Sequence, residues 1–428
     1  MNLFEYTLRA VAYAIADPGL VLILVIMGMF LYRKNKRIAF LQRMMIGEKY
    51  VSPLELTLSQ IVVGIAGGII GSMILSYLGI MFHEKSGIEL IFMVSLVLMA
   101  IKPRWICFSY SGAVLGLMAL LIDFLKKSGI ISTNFPITLD IVSLVSLIAV
   151  LHIVEGILIT VDGKKGAIPV FTNKDGKLAG GFALERYWPI PLAIMFFSNN
   201  ILSGAMEPIN TPTWWPILHG NVNDAFLATA IISAMPLYAM IGYKSVTFTQ
   251  SKTEKAVMSG ISNIIYGGSL LALSQLANYG LAFQILVLIL MPLGHELMLL
   301  IQKGKEKKGK IKYASDEEGI TVLEVMPNSM AKRSGIKSGD KILEVNDDKP
   351  EEYTMIYEAL NKGFNNLKLK IKDTKGTIRS ITLSIGEGGS LGIILIPKGF
   401  PDGNGVLEVG DKKFKDILDK IKKKNDKE

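Results

Sequence analysis

Cysteine is almost missing from this chain. The only one, Cys107, lies in an apolar run, so neither a disulfide framework nor a thiolate metal site is expected within one chain, and no redox chemistry with them. Charge is scarce too. Only 19% of the 428 residues are charged while half are hydrophobic, and mean hydropathy is +0.41, which excludes an ordinary soluble domain and reads as a polytopic membrane protein. No P-loop and no pair of carboxylates at acid/base spacing occurs. The stretch Met1 to Arg9 has no basic leader before the first apolar run and no small-residue cleavage site after it. The first span is therefore expected to stay in the mature protein. A net charge of +9 reads here as basic cytoplasmic loops, with no nucleic-acid partner.

Apolar runs are what the chain has in quantity. Asp17-Pro18 marks a helix start, and Gly19 to Tyr32 is apolar up to Arg33-Lys-Asn-Lys-Arg37. This run is short for a bilayer of about 30 Å, so an amphipathic Leu3 to Ala16 segment is expected beside it or extending it. Further runs cover Leu58 to Ile80, Ile88 to Ile101, Ile106 to Leu125, Asp140 to Val161, Trp188 to Leu202, Ala225 to Ile241, Met258 to Ala277 and Leu281 to Ile301. The expectation is a transmembrane domain over residues 1–302 with nine spans, or eight if the short third or the proline-containing sixth drops out.

Alternate loops differ in basic residues. With the N-terminus outside, the inside loops hold Arg33, Lys34, Lys36, Arg37, Arg43 and Lys49, then Lys102 and Arg104. Next come Lys164, Lys165, Lys174, Lys177 and Arg186, then Lys244, Lys252 and Lys255, whereas the outside segments hold Arg9, Lys85, Lys126 and Lys127. The positive-inside rule then puts the basic linker, 303–318, and all that follows in the cytoplasm. The inside loop from Asp162 is expected to form a small hairpin around Asn173-Lys-Asp-Gly176. Tyr187 and Trp188 read as interfacial anchors. The second span has small-xxx-small spacing at Gly64/Gly68 and Gly67/Gly71, which admits packing within the chain's own bundle or a homo-oligomer seam.

Ionisable groups at bilayer depth are functional candidates because burying them is costly. His152 and Glu155 share one face of the fifth span, and His295 and Glu296 lie in the last. Both sets stand about 7 to 9 residues from the cytoplasmic end, a similar depth at ~1.5 Å per residue, so they are placed to meet. A membrane His-Glu pair resembles the site-2 zinc metalloproteases. Their His-Glu-x-x-His motif needs a second histidine where this chain has Leu299. The four residues are therefore read as interhelical polar contacts, with no catalytic residues, metal or cofactor; a protease-related protein or a transporter is the alternative function.

Residues 319–398 are the soluble module. The strand Gly319 to Met326, the segment Pro327-Asn-Ser-Met-Ala331, then Gly339-Asp340 and Lys341-Ile-Leu-Glu-Val-Asn346 resemble a bacterial PDZ domain. In such domains an apolar-Gly-apolar loop opens the ligand strand, and Ser390-Leu391-Gly392-Ile393 is similar to it. Because that loop follows the helix here, the order matches the circularly permuted bacterial type. By the same resemblance Tyr353, Tyr357 and Leu360, on one helix face, line a peptide groove whose ligand is not readable. The tail, 399–428, is basic and amphipathic and is expected on the module or on membrane lipid.

An early span with a basic end, His152-Ile-Val-Glu155, Gly180-Gly-Phe-Ala-Leu-Glu-Arg-Tyr-Trp-Pro-Ile-Pro191, Pro292-Leu-Gly-His-Glu296 and a C-terminal PDZ-like module together resemble the MinJ-type division topology proteins of Gram-positive bacteria. The resemblance implies a non-enzymatic membrane scaffold at septum or poles, linking a DivIVA-like polar protein to a MinD-like ATPase. The fold class expected is an α-helical polytopic membrane bundle followed by a small α+β PDZ-like domain.

Overall fold

The computed structural model describes residues 2–46, 52–132, 137–174, 177–198, 211–218, 231–361, 367–384 and 391–398. The chain is a multi-pass membrane protein: six helices among the described residues are long and apolar enough to cross a bilayer. A short helix α1 (Leu3–Ala16) leads at Asp17 into α2 (Pro18–Ile46), and α3 is Pro53–Leu78. After strand β1 (Met81–His83) come α4 (Leu90–Ile101), α5 (Phe108–Lys127) and α6 (Ile141–Asp162). Beyond a set of strands follow α7 (Lys252–Ser274) and α8 (Leu281–Lys308). α6 is central and buried along nearly its whole length. α7 crosses it on glycines: a Cβ on Gly156 or Gly267 would meet the backbone of the facing helix within 2.6 Å. Leu22, Ile26 and Phe30 of α2, Val97 of α4, Leu121 of α5, and Leu293 and Leu297 of α8 are exposed, the faces that lipid covers in a bilayer.

The sixth and seventh apolar runs are not helical spans. Where described, they belong to β3 (Lys177–Ser198) and β4 (Ile231–Thr247), paired antiparallel from Phe182↔Thr247 to Ser198↔Ile231. Trp188-Pro189-Ile190-Pro191 decides this: each proline removes a helix donor and pushes the residue before it to extended geometry. From Tyr187 to Ser198 the strand reaches about 36 Å at ~3.3 Å per residue, enough to follow the helices across a bilayer. The third run is the short α4.

A strand at bilayer depth needs partners on both edges. β3 has β4 on one side. On the other lie β2 (Ile168–Lys174), which forms the expected small hairpin, then α3, then β1 at Met81↔Met195. Along α3, Pro189 and Pro191 carry no N–H, and the N–H of Ala193 donates to Ser72 Oγ at 2.9 Å. All four glycines of the second span face inward. Gly64 and Gly68 meet the carbonyls of Pro189 and Pro191, and Gly67 and Gly71 meet Leu158 and Val154 of α6.

The soluble module has the sheet order β10-β6-β7-β8-β9. Its strands are β6 (Ile320–Val325), β7 (Lys341–Val345), β8 (Leu367–Lys372), β9 (Ile378–Leu383) and β10 (Ile393–Leu395), with helices α9 (Met330–Arg333) and α10 (Tyr353–Asn361). The last strand in sequence lies beside the first, as the permuted order requires. β8 alternates Leu367, Leu369 and Ile371 into the core with lysines outward. β6 and β10 are instead buried on both faces. Val322, Ile393 and Leu395 enter the module's own core, while Leu323, Ile394 and Ile396 join the core of the membrane bundle.

The expected linker is structured. α8 continues to Lys308, and β5 (Tyr313–Ala314) pairs with Ala179 and Gly180 of β3. Glu306 accepts from the backbone N–H of Phe248 at 2.7 Å and of Thr249 at 3.1 Å, and Lys252 pairs with Glu324 at 2.6 Å.

Candidate functional site

α4 stops before Pro103, a single turn of tighter helix (Pro103–Ile106) reverses the chain, and Cys107 caps α5. This turn brings Cys107 against the two polar helices. Its Sγ lies 3.2 Å from Nε2 of His152 and 3.6 Å from Nε2 of His295, and the two imidazole centroids are 5.6 Å apart. Ser109 Oγ is 3.2 Å from Nε2 of His152 and 2.9 Å from the hydroxyl of Tyr266, whose own hydrogen goes to the carbonyl of Met291 at 2.8 Å.

The polar residues read from sequence thus meet only in part. His152 and His295 share one cluster. Glu296 accepts from Tyr110 and pairs with Arg104, so its charge is balanced at the α4–α5 turn. Glu155 is not among the groups that converge there. Sequence reasoning left out Cys107, Ser109, Tyr110 and Tyr266. Their separations from their partners in the cluster, up to 188 residues from Cys107 to His295, carry no spacing signal; depth in the span is the one clue, and it held for the histidines.

A second buried network was misread. Trp188 is fully buried rather than interfacial, and its indole N–H donates to Asp162 at 2.9 Å. Arg186, 1% exposed, donates to the same carboxylate through Nε at 2.9 Å and again through Nη2. Ser59 and Lys165 complete the set on the other oxygen. The polar motif 180–191 is therefore a structural seam between β3 and α3 and α6.

In the soluble module Leu391 and Ile393 pack in the core with Ile356 of α10, and Tyr353 lies partly buried against it. Gly392 has φ +71°, and a Cβ there would lie 2.4 Å from Ser329, so the position requires glycine. Its carbonyl accepts from Met326 N–H at 2.9 Å, and that of Leu391 from Ala331 N–H at 3.1 Å. Ser390 and the side chains of Tyr357 and Leu360 lie outside the described residues, as does the tail 399–428. Gly388-Gly-Ser-Leu-Gly392 has the spacing of a nucleophile elbow, but it leads into a strand rather than from strand to helix.

The sequence model of the PDZ domain family matches residues 292–372, a match that starts within α8 and ends with β8. Among curated proteins, the cell division topological determinant MinJ of Bacillus subtilis (strain 168) is 21% identical over 217 residues, 50% of this chain and 50% of that protein. The chain thus aligns with about half the length of that curated relative. The chain combines a multi-pass membrane bundle, a match to the PDZ domain and a distant likeness to MinJ.

Proposed function

We propose that this chain is a membrane scaffold that positions cell-division regulators at the septum or poles, capturing protein partners in a PDZ-like groove on the cytoplasmic face. One observation carries this reading. The interaction module is seated on the membrane bundle through β5, Leu323, Ile394 and Ile396, so a captured partner is held at a fixed place on the membrane. The likeness to MinJ supports the division setting.

On this reading the groove lies between α10 and β10, as the PDZ resemblance assigns it to Tyr353, Tyr357, Leu360 and Ser390 to Ile393; of these, Tyr353, Leu391 and Ile393 are seen beside one another. An extended peptide adds there as a strand. A DivIVA-like polar protein and a MinD-like ATPase are the partners that fit the reading. The basic loops support the cytoplasmic side. Replacing two helical spans by the β3–β4 pair, which goes out and returns, leaves every later segment on the same side. The activity is partner capture without turnover.

A fluorescent fusion imaged in dividing cells tests the proposal. Signal concentrated at septa or poles, with misplaced division in a deletion strain, is expected. Uniform membrane fluorescence together with normal division in that strain overturns it.

A further inference from the structure

Three ligand atoms from three helices converge where α5 begins: Cys107 Sγ, His152 Nε2 and His295 Nε2 all lie within 4.8 Å of one another. A tetrahedral zinc with sulfur at about 2.3 Å and nitrogen at about 2.0–2.1 Å sets its sulfur and nitrogen ligands about 3.5 Å apart. The observed sulfur-to-nitrogen distances are 3.2 and 3.6 Å.

Hydrogen counting points the same way. Nδ1 of His152 is 2.8 Å from the carbonyl of Ile148. A carbonyl only accepts, so the neutral ring carries its hydrogen there and turns a lone pair at Nε2 toward Cys107. The Tyr110 hydroxyl gives its hydrogen to Glu296, which leaves its oxygen to accept from Nδ1 of His295 at 3.4 Å. His295 therefore also shows a lone pair to Cys107. Tyr266 donates to Met291, so Ser109 has one hydrogen to divide between Tyr266 and His152. Three acceptors, the two Nε2 atoms and the Tyr266 oxygen, share two hydrogens, those of Cys107 and Ser109.

We propose that Cys107, His152 and His295 bind one Zn2+ ion, fastening α5, α6 and α8 together at the α4–α5 turn. Binding releases the thiol proton to water, takes both imidazole lone pairs, and frees Ser109 to donate to Tyr266. The fourth position is open, as in three-ligand zinc sites. Thiolate and imidazole donors select zinc over magnesium or calcium. The Nδ1 contacts to Ile148 and Tyr110 are the outer hydrogen bonds that orient metal-binding histidines. Counting cysteines excludes all-sulfur sites; it does not reach a site with one sulfur and two nitrogens.

Because Cys107 is the only thiol, its alkylation reports on the site directly. The full chain, purified in detergent and stripped with chelator, is treated with Zn2+ alone and then with iodoacetamide, and the intact mass is followed. One zinc retained per chain after gel filtration, and alkylation slowed at least about tenfold and restored by chelator, are expected. Cobalt in place of zinc should give a thiolate charge-transfer band that C107S lacks. His152→Ala and His295→Ala should each weaken zinc binding at least about tenfold, whereas His83→Ala, at the other end of the bundle, should not. Equal alkylation rates with and without zinc, or full zinc retention by the Cys107→Ser/His152→Ala variant, overturns the proposal. The wild-type alkylation decides the matter even where a variant fails to fold.

Discussion

A Cβ built on Gly68 would stand 2.1 Å from the carbonyl oxygen of Pro191: a membrane helix and a strand meet here backbone to backbone. The contact lets the unpaired edge of β3 lie at bilayer depth. Prolines remove two of its donors, Ser72 satisfies the next, and glycine lets α3 close over the row. Gly68→Val should therefore separate α3 from the hairpin and lower the yield of folded, monodisperse protein in detergent. Gly268, with nothing within 4 Å of its Cβ direction, is the contrast. Gly268→Ala should be neutral or stabilising by up to about 1 kcal/mol. Equal melting temperatures for the two variants would remove this account of the seam.

The Asp162 carboxylate, with Arg186 and Trp188 donating to it out of water, predicts an asymmetric mutational response. Removing one partner strands a buried charge, so Asp162→Ala should cost about 3–5 kcal/mol. Replacing both charges with apolar groups, as in Asp162→Leu with Arg186→Met, should recover much of that loss. Thermal denaturation of the single and double variants in detergent measures the coupling. Additive losses would show that the pair is not coupled.

The helical part of the fold was legible because long apolar runs have few alternatives in lipid. The same logic misled at 188–202 and 225–241, where hydropathy is high but Pro189, Pro191 and Pro236 forbid a regular helix; proline outweighed length. The PDZ-like module was readable through its strand alternation and its Gly-Asp turn. Its docking was not, because Leu323, Ile394 and Ile396 read in sequence only as parts of apolar strands. For the intramembrane cluster, equal depth brought His152 and His295 together correctly. Cys107 was seen as a lone thiol but not joined to the histidines, because the turn that delivers it, Pro103–Ile106, fell in what reads as a basic loop.

Docking of the soluble module gives a third test. A Cβ on Gly180 would lie 2.7 Å from Cδ1 of Ile396, so Gly180→Leu should pry the module from the bundle and raise hydrogen exchange at β5 and β10. In the Lys252–Glu324 pair the lysine is partly exposed while Glu324 is 8% exposed, and the solvent-reached lysine keeps the pair's contribution on the order of 1 kcal/mol. Lys252→Glu should have a smaller effect than Gly180→Leu, and adding Glu324→Lys should restore the pair. Unchanged exchange at β5 in Gly180→Leu would count against the seated arrangement.

The last test is one of pH. Asp373, in the turn between β8 and β9, accepts from the N–H groups of Thr377 at 2.8 Å and Lys375 at 2.9 Å. The backbone bond to Thr377 above all holds its carboxyl below the ordinary value of 3.8. A carboxylate depressed in the folded state gives stability that is present above its unfolded value and is lost as pH falls through the folded one. Local protection of the β8–β9 amides, corrected for intrinsic exchange, should therefore hold down to about pH 5 and decline on further acidification through about pH 3 and below. Asp373→Asn keeps an acceptor in the turn but cannot titrate, so it should flatten that decline while leaving protection at neutral pH near wild type. A slope as steep in Asp373→Asn as in wild type would assign the acid sensitivity to other carboxylates of the module, such as Asp316, where burial raises the carboxyl but the bond and charge of Lys341 and the backbone bonds to Gly319 and Glu318 together hold it low.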